Sequence, residues 1–323
     1  MDGLAPEQVA LARHHSYVLL SQLFLTGVTE NNLSQVQAVF DLGKHLPEPI
    51  DLDALAAAHY QLFGFNVFPF ESIFLDSNGL LGGVITESVA RDMQTFSFAT
   101  DVSSHAPDHI GREVAALAHL CFALAEAIEN SETETAVSLQ KQQITFLRAH
   151  LLRWLGPFVL AVKMQGDPFY TAVAEWTLAL VGHHYETLMK SNPAEMPAQD
   201  LGQAPSLLDN KKTGLKDIAN YLTTPIYSGF YLSRDDIGKV ARQLDLPRGF
   251  GDRQQLLTNL MRTAVQYDQF SQLLDVLDTA VMQWQTNYKS LAAEMTQLTP
   301  FIQSWQVKCH ETSQQIAKIR DQI

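Results

Sequence analysis

Long runs of β-branched residues are absent from this chain. That removes most sheet architectures, because strands rely on such side chains to fill a pleated surface. Ala, Leu, Gln and Glu are plentiful instead, and these residues lose little rotamer freedom in a helix. Pro6 and Glu7 open one periodic stretch, in which Val9, Leu11, Val18, Leu19, Leu20, Leu23 and Phe24 recur at mostly helical spacing before Gly27 stops it. The expectation is an all-α protein. With 323 residues and 46% hydrophobic content, the chain can bury a core as one large domain or two ordinary ones.

Later segments repeat the pattern. A short helix is expected around Leu33–Phe40, and Asp51 or Asp53 can cap another that runs through Leu55, Tyr60, Leu62 and Phe63. Residues 64–83 are rich in aromatics, contain Pro69 and carry the turn signal Asp76-Ser77-Asn78-Gly79, so they read as a structured loop. A helix is expected from about Thr86 to Phe96, and Asp108 is placed to cap the one after it. Gln140–Trp154 reads as a helix broken or kinked at Gly156-Pro157, and Asp167-Pro168 opens a long one reaching about Met189. The composition then changes. Residues 191–214 hold three prolines, two glycines and many small polar residues, which marks a linker between residues 1–190 and a smaller helical module at 215–323. In that module Ser233 with Asp235 and Asp236 signals a helix start, another begins near Asp252, and a last segment from about Phe270 breaks near Pro300. Its glutamine-rich tail is weakly amphipathic and suits either packing on a partner or mobility.

The formal charge is −13, and it is uneven. Residues 1–139 hold four basic side chains against eighteen acids, a balance of −14, whereas the remainder balances at +1. Nucleic acid is a poor partner for such a chain, because phosphate binding needs a basic face. An acidic half suits a basic partner as well as plain solubility. Cys121 and Cys309 are too isolated for a disulfide framework or a zinc site. The first fifteen residues show no charged-then-apolar signal region and no twin-arginine pair, and the apolar run Trp154–Val162 is too short to span a bilayer. A cytoplasmic protein without membrane insertion is expected.

Catalytic motifs are missing. The chain carries no HExxH, paired CxxC, GxxxxGK[ST], GxSxG or GxGxxG. The adjacent pairs His14-His15 and His183-His184 make poor chelates, since neighbours on a helix point about 100° apart; each reads as one packed and one exposed ring. His109 and Glu113 have metal-ligand spacing, but a local hydrogen bond explains them better than a metal does. No enzyme activity and no cofactor are expected.

Two segments stand out from plain core filling: Phe68-Pro69-Phe70-Glu71-Ser72-Ile73-Phe74-Leu75-Asp76 and Pro107-Asp108-His109 with Glu113. They fall in order with Tyr60-Gln61-Leu62-Phe63 before them, and with Phe146-Leu147-Arg148-Ala149-His150-Leu151-Leu152-Arg153-Trp154 and Pro168-Phe169-Tyr170 after them. Over residues 10–190 this order resembles the TorD/DmsD/NarJ family of molybdoenzyme-specific chaperones, the redox enzyme maturation proteins. Members often place Trp before the Glu-Ser pair, where this chain has Phe70, and residues 205–323 lie beyond the compact core typical of the family.

The resemblance implies a TorD-like helical bundle with a C-terminal extension. Its implied partners are the apo catalytic subunit of a molybdopterin-containing oxidoreductase and that subunit's twin-arginine signal peptide; it leaves homodimer formation open. A basic, greasy peptide needs carboxylates for its guanidinium groups and an apolar groove for its body. The candidate peptide-binding residues are therefore Phe68, Pro69, Phe70, Glu71, Ser72, Phe74, Leu75, Asp76, Pro107, Asp108, His109 and Glu113, expected to form an open acidic cleft with aromatic walls. In that reading His109 orients Asp108, and the two prolines stiffen the rims. The alternatives are a helical-bundle metal-binding protein, which needs more Glu/His pairs on facing helices, and an adaptor that assembles a complex through its C-terminal helices.

Overall fold

The computed structural model describes residues 3–79, 81–98, 106–191, 199–207, 213–247 and 249–322. Among these residues the fold is all-α, with no strand and an isolated antiparallel bridge between Phe70 and His109. Parts of the expected linker, 192–198 and 208–212, lie outside them.

The first two-thirds contains α1 (Pro6–Leu25), α2 (Leu33–Ala38), α3 (Phe40–Gly43), α4 (Leu52–His59), α5 (Glu71–Leu75), α6 (Gly83–Thr95), α7 (Ile110–Glu129), α8 (Thr133–Ala149), α9 (Leu151–Gln165) and α10 (Pro168–Ser191). A π-helical turn, Tyr60–Asn66, follows α4 directly. The last third contains α11 (Leu215–Thr223), α12 (Pro225–Ser228), α13 (Arg234–Gln243), α14 (Arg253–Gln266), α15 (Phe270–Glu294) and α16 (Thr299–Arg320). Helix starts follow their caps: the side chains of Asp51, Ser233 and Asp252 accept from Ala54 N, Asp236 N and Gln255 N. Asp167 Oδ1 accepts from Tyr170 N at 2.8 Å, just as the Asp-Pro pair predicts.

α1 lies along α7, and Gly111 permits the closest approach. A Cβ there would stand 2.7 Å from Leu25 Cγ and 3.1 Å from Ser21 O. At the centre is α9, whose residues from Leu151 to Val162 are buried apart from Arg153. A helix apolar on nearly all sides must be enclosed by others, and α9 meets α5, α8, α10, α15 and α16. One contiguous buried apolar cluster runs from Tyr17 to Ile319 and draws on both parts of the chain.

The structure differs from the sequence expectation in three places. The aromatic stretch after Tyr60 is not simply a loop, because the π-helical turn and α5 fall within it; α5 is too short for periodicity to reveal. The long helix divides at His150 (φ −121°, ψ −94°) and continues through Gly156-Pro157. Pro157 has no N–H to give the carbonyl of Arg153. Trp305 Nε1 supplies the missing donor at 2.9 Å and Gln199 Nε2 adds another at 3.2 Å. The tail is packed: α16 buries Phe301, Ile302, Trp305, Cys309, Ile316 and Ile319. Cys309 thus lies in the core, where burial pushes its thiol up, as it pushes Cys121 up to about 12.

Both histidine pairs split as expected. His15 and His183 are exposed, His14 Nδ1 meets Ala118 O, and His184 sits between Tyr17 Oη and Gln143 Oε1, each at 3.0 Å. Burial, then the Arg13 and His183 charges, hold His184 well below the ordinary histidine range.

Candidate functional site

The two motif segments meet backbone to backbone. Ile110 N donates to Pro69 O at 2.9 Å and Glu71 N donates to Asp108 O at 2.9 Å. α5 therefore begins where the Pro-Asp-His turn ends, and the turn satisfies its first amides. Asp108 Oδ2 accepts from Ser72 N at 3.1 Å. Asp108 was expected to cap α7; instead it serves α5 across the chain. The cap of α7 is His109, whose Nδ1 accepts from Gly111 N at 3.0 Å. The His109 ring also meets Phe70 edge-on, with centroids 4.9 Å apart.

Behind this contact lies a buried polar cluster. Glu71, Asp108 and Glu113 are 1%, 0% and 0% exposed. The break at His150 turns its ring toward two acids: Nδ1 lies 3.0 Å from Glu71 Oε2, and Nε2 lies 2.9 Å from Asp92 Oδ2 on α6. Both nitrogens face acceptors, so both carry protons and the ring is an imidazolium. Burial works to lower its pKa, but the hydrogen bonds and charges of Glu71 and Asp92 outweigh that and raise it. Glu113 Oε2 accepts from Trp154 Nε1 at 3.3 Å. Burial first, then the charges of Glu71 and Asp108, drive Glu113 well above the usual carboxylate range, which favours its protonated form. Asp108 Oδ1 has no hydrogen-bond partner among the described residues, whereas Glu113 also shares a side-chain hydrogen bond with Glu71.

The candidate residues thus come together, but not as the open cleft expected. Pro69, Glu71, Ser72, Phe74, Leu75, Asp108, His109 and Glu113 are buried, whereas Phe68, Phe70, Asp76 and Pro107 are half-buried. Phe74 and Leu75 are core residues rather than exposed groove walls. Phe74 stacks on Tyr231 with centroids 5.2 Å apart and tilts against Trp154 at 5.3 Å. For Phe74 that cover comes from the last third of the chain. Tyr231 donates from Oη to Asn66 O at 2.9 Å and accepts from Phe68 N at 3.2 Å, fastening a C-terminal segment over the motif face. Asn66 reinforces this: its Nδ2 donates to Asp235 Oδ2 at 3.0 Å, and its Oδ1 accepts from Asp235 N at 3.2 Å. The Asp76 turn is as expected, with Asn78 N on Asp76 Oδ1 at 2.7 Å and Gly79 at φ +62°.

Sequence reasoning missed Asp92, Asn66 and Tyr231. Asp92 sits on an ordinary polar helix and gives no local signal. Arg234 and Arg253 do carry one: each is the first residue of its helix, where the dipole disfavours a cation. His109 and Glu113 do not share a ligand position, and no group of three or more metal-binding side chains occurs among the described residues. Nor, among those residues, is any helix long and apolar enough to cross a membrane.

Residues 29–160 match the family model of the nitrate reductase delta subunit. That is a chaperone family of molybdoenzyme maturation, and the match supports the relationship the motifs resemble. It takes in the Tyr60–Phe74, Pro107–Glu113 and Phe146–Trp154 runs and ends before Pro168. No curated protein and no solved structure matches the chain.

Proposed function

We propose that the chain is a cytoplasmic, system-specific chaperone for a molybdopterin-containing oxidoreductase of the DMSO reductase class. It binds the apo catalytic subunit and its twin-arginine signal, holds the subunit open for cofactor insertion, and catalyses no reaction. The observation that carries this reading is the match over residues 29–160, which encloses three of the four motif runs. The buried cluster adds support. Glu71, Asp108 and Glu113 put three carboxyl groups in one place, and Asp108 Oδ1 lacks a donor. Guanidinium groups supply such donors in bidentate form.

Because Tyr231 holds Phe74 and the backbone at Asn66 and Phe68, we read client access to the buried carboxyls as requiring residues 68–76 to part from the C-terminal segment. Residues 1–190 are then the client-binding part, 191–214 the connection, and 215–323 a helical extension set against the motifs.

The test is a binding titration of the full chain with a labelled peptide that carries an Arg-Arg pair ahead of an apolar run. A second peptide with Gln-Gln in place of the pair is the control. Tighter binding of the arginine peptide is expected, together with co-purification of a molybdopterin oxidoreductase on the tagged chain from its native cell. Equal binding of both peptides would remove the signal-recognition role, and absence of the oxidoreductase from the pull-down would remove the chaperone role.

A further inference from the structure

A cavity of about 660 Å³ opens between the 68–81 segment and the last third of the chain. Its volume lies in the range of small-molecule sites, roughly 300–1,000 Å³. One wall is apolar: Phe68, Ile73 and Leu81. The facing wall presents Asn220, Arg234 and Arg253.

The two arginines differ in how they are held. Arg253 is 8% exposed, gives Nη1 to Leu232 O at 3.3 Å, and lies 4.3 Å over the Tyr231 ring. Its guanidinium is locked in place with donors left over, since the group has five and this bond takes one. The Arg234 side chain makes no hydrogen bond or ion pair among the described residues, and it also borders a smaller neighbouring hollow beside Asp235. Both arginines stand at helix starts, whose amides add positive potential instead of offsetting it. The one acid in the lining, Asp252, already accepts the amide of Gln255 at 2.8 Å. In a chain of charge −13, this cavity is therefore lined by an excess of cationic side chains.

We propose that the cavity binds a small organic anion, with a flat or branched apolar body against Phe68, Ile73 and Leu81 and a carboxylate or phosphate group on Arg234 and Arg253. The same charge makes the cavity a poor seat for a basic peptide, so this site is separate from the carboxyl cluster. Its support does not rest on the chaperone reading, although Phe68 and Ile73 belong to the segment which that reading sets in motion.

Calorimetric titration of the full chain at low salt tests the assignment with four probes: phenyl phosphate, phenylacetate, benzyl alcohol and benzylamine. At least one anion is expected to bind on the order of tenfold tighter than benzyl alcohol, since charge-assisted hydrogen bonds are worth more than apolar contact alone at this size. The two anion arms decide between phosphate and carboxylate. Arg234→Gln should weaken that binding about tenfold. Leu81→Asp, at a residue 56% exposed and so harmless to folding, should weaken it by repulsion. The proposal is overturned if neither anion binds, if benzyl alcohol or benzylamine binds as tightly, or if both variants bind the anions unchanged.

Discussion

Glu113 and His150 both hold protons that the unfolded chain gives up more readily, and their pH effects therefore share a sign. Each has a raised native pKa. Folding free energy from such a group is complete below its unfolded pKa and is lost as pH rises through the native value. For Glu113 that decline starts near 4.5, and for His150 near 6.5, their ordinary values. Glu113→Gln imitates the protonated acid and should flatten the fall of Tm between pH 5 and 8, as melting curves across that interval would show. A slope as steep as the parent's would mean that Glu113 is ionised in the fold. His150→Ala strands Glu71 as a buried, unpaired charge and should cost about 3–5 kcal/mol in denaturant unfolding. His184 acts oppositely: its lowered pKa makes it lose stabilisation as pH drops below about 6.5. At this scale the motif residues were readable from their order alone, but their burial was not. A carboxylate in an aromatic-rich loop looks the same whether it meets a peptide or a distant histidine. Only the fold brings His150 within 3.0 Å of Glu71.

Two contacts between elements invite direct tests. Trp305→Phe removes the indole donor from Arg153 O while Gln199 still donates, and should cost about 0.5–1.5 kcal/mol, the usual net worth of one hydrogen bond. Restoring an amide with Pro157→Ala should recover part of that loss, so the double variant should be more stable than the two separate costs predict. Additive costs would show that the proline and the tryptophan are unrelated. Gly229 has φ +80°, and a Cβ there would stand 2.4 Å from Cys309 N. Gly229→Ala should therefore lower stability by about 3 kcal/mol, combining a left-handed backbone with overpacking. Helix positions were largely visible from caps and apolar spacing, as at Asp51, Asp167, Ser233 and Asp252. The misplaced break had a physical cause: Pro157 ordinarily stops a helix, but here donors from residues 199 and 305 complete the carbonyl it leaves open. Nothing within the helix itself foretells partners so far along the chain.

For the molecule as a whole, the acidic excess in residues 1–139 should draw an arginine-bearing peptide from a distance. Association rates should fall several-fold between 50 and 500 mM salt, as stopped-flow mixing would reveal. Salt-independent rates would leave the −14 balance as a solubility feature alone. The all-α class and the change of composition near residue 191 followed from the sequence. The use of Tyr231 and Asp235 against the motif face did not, because long-range docking leaves no local periodicity. That docking changes the terms of recognition. Any client that needs the face bare must compete with a segment already tethered to it. Its apparent dissociation constant is then the intrinsic one divided by the fraction of molecules standing uncovered. If one molecule in about a hundred is uncovered, binding weakens about a hundredfold. A substitution that loosens Tyr231 would then tighten capture without adding a single contact to the client.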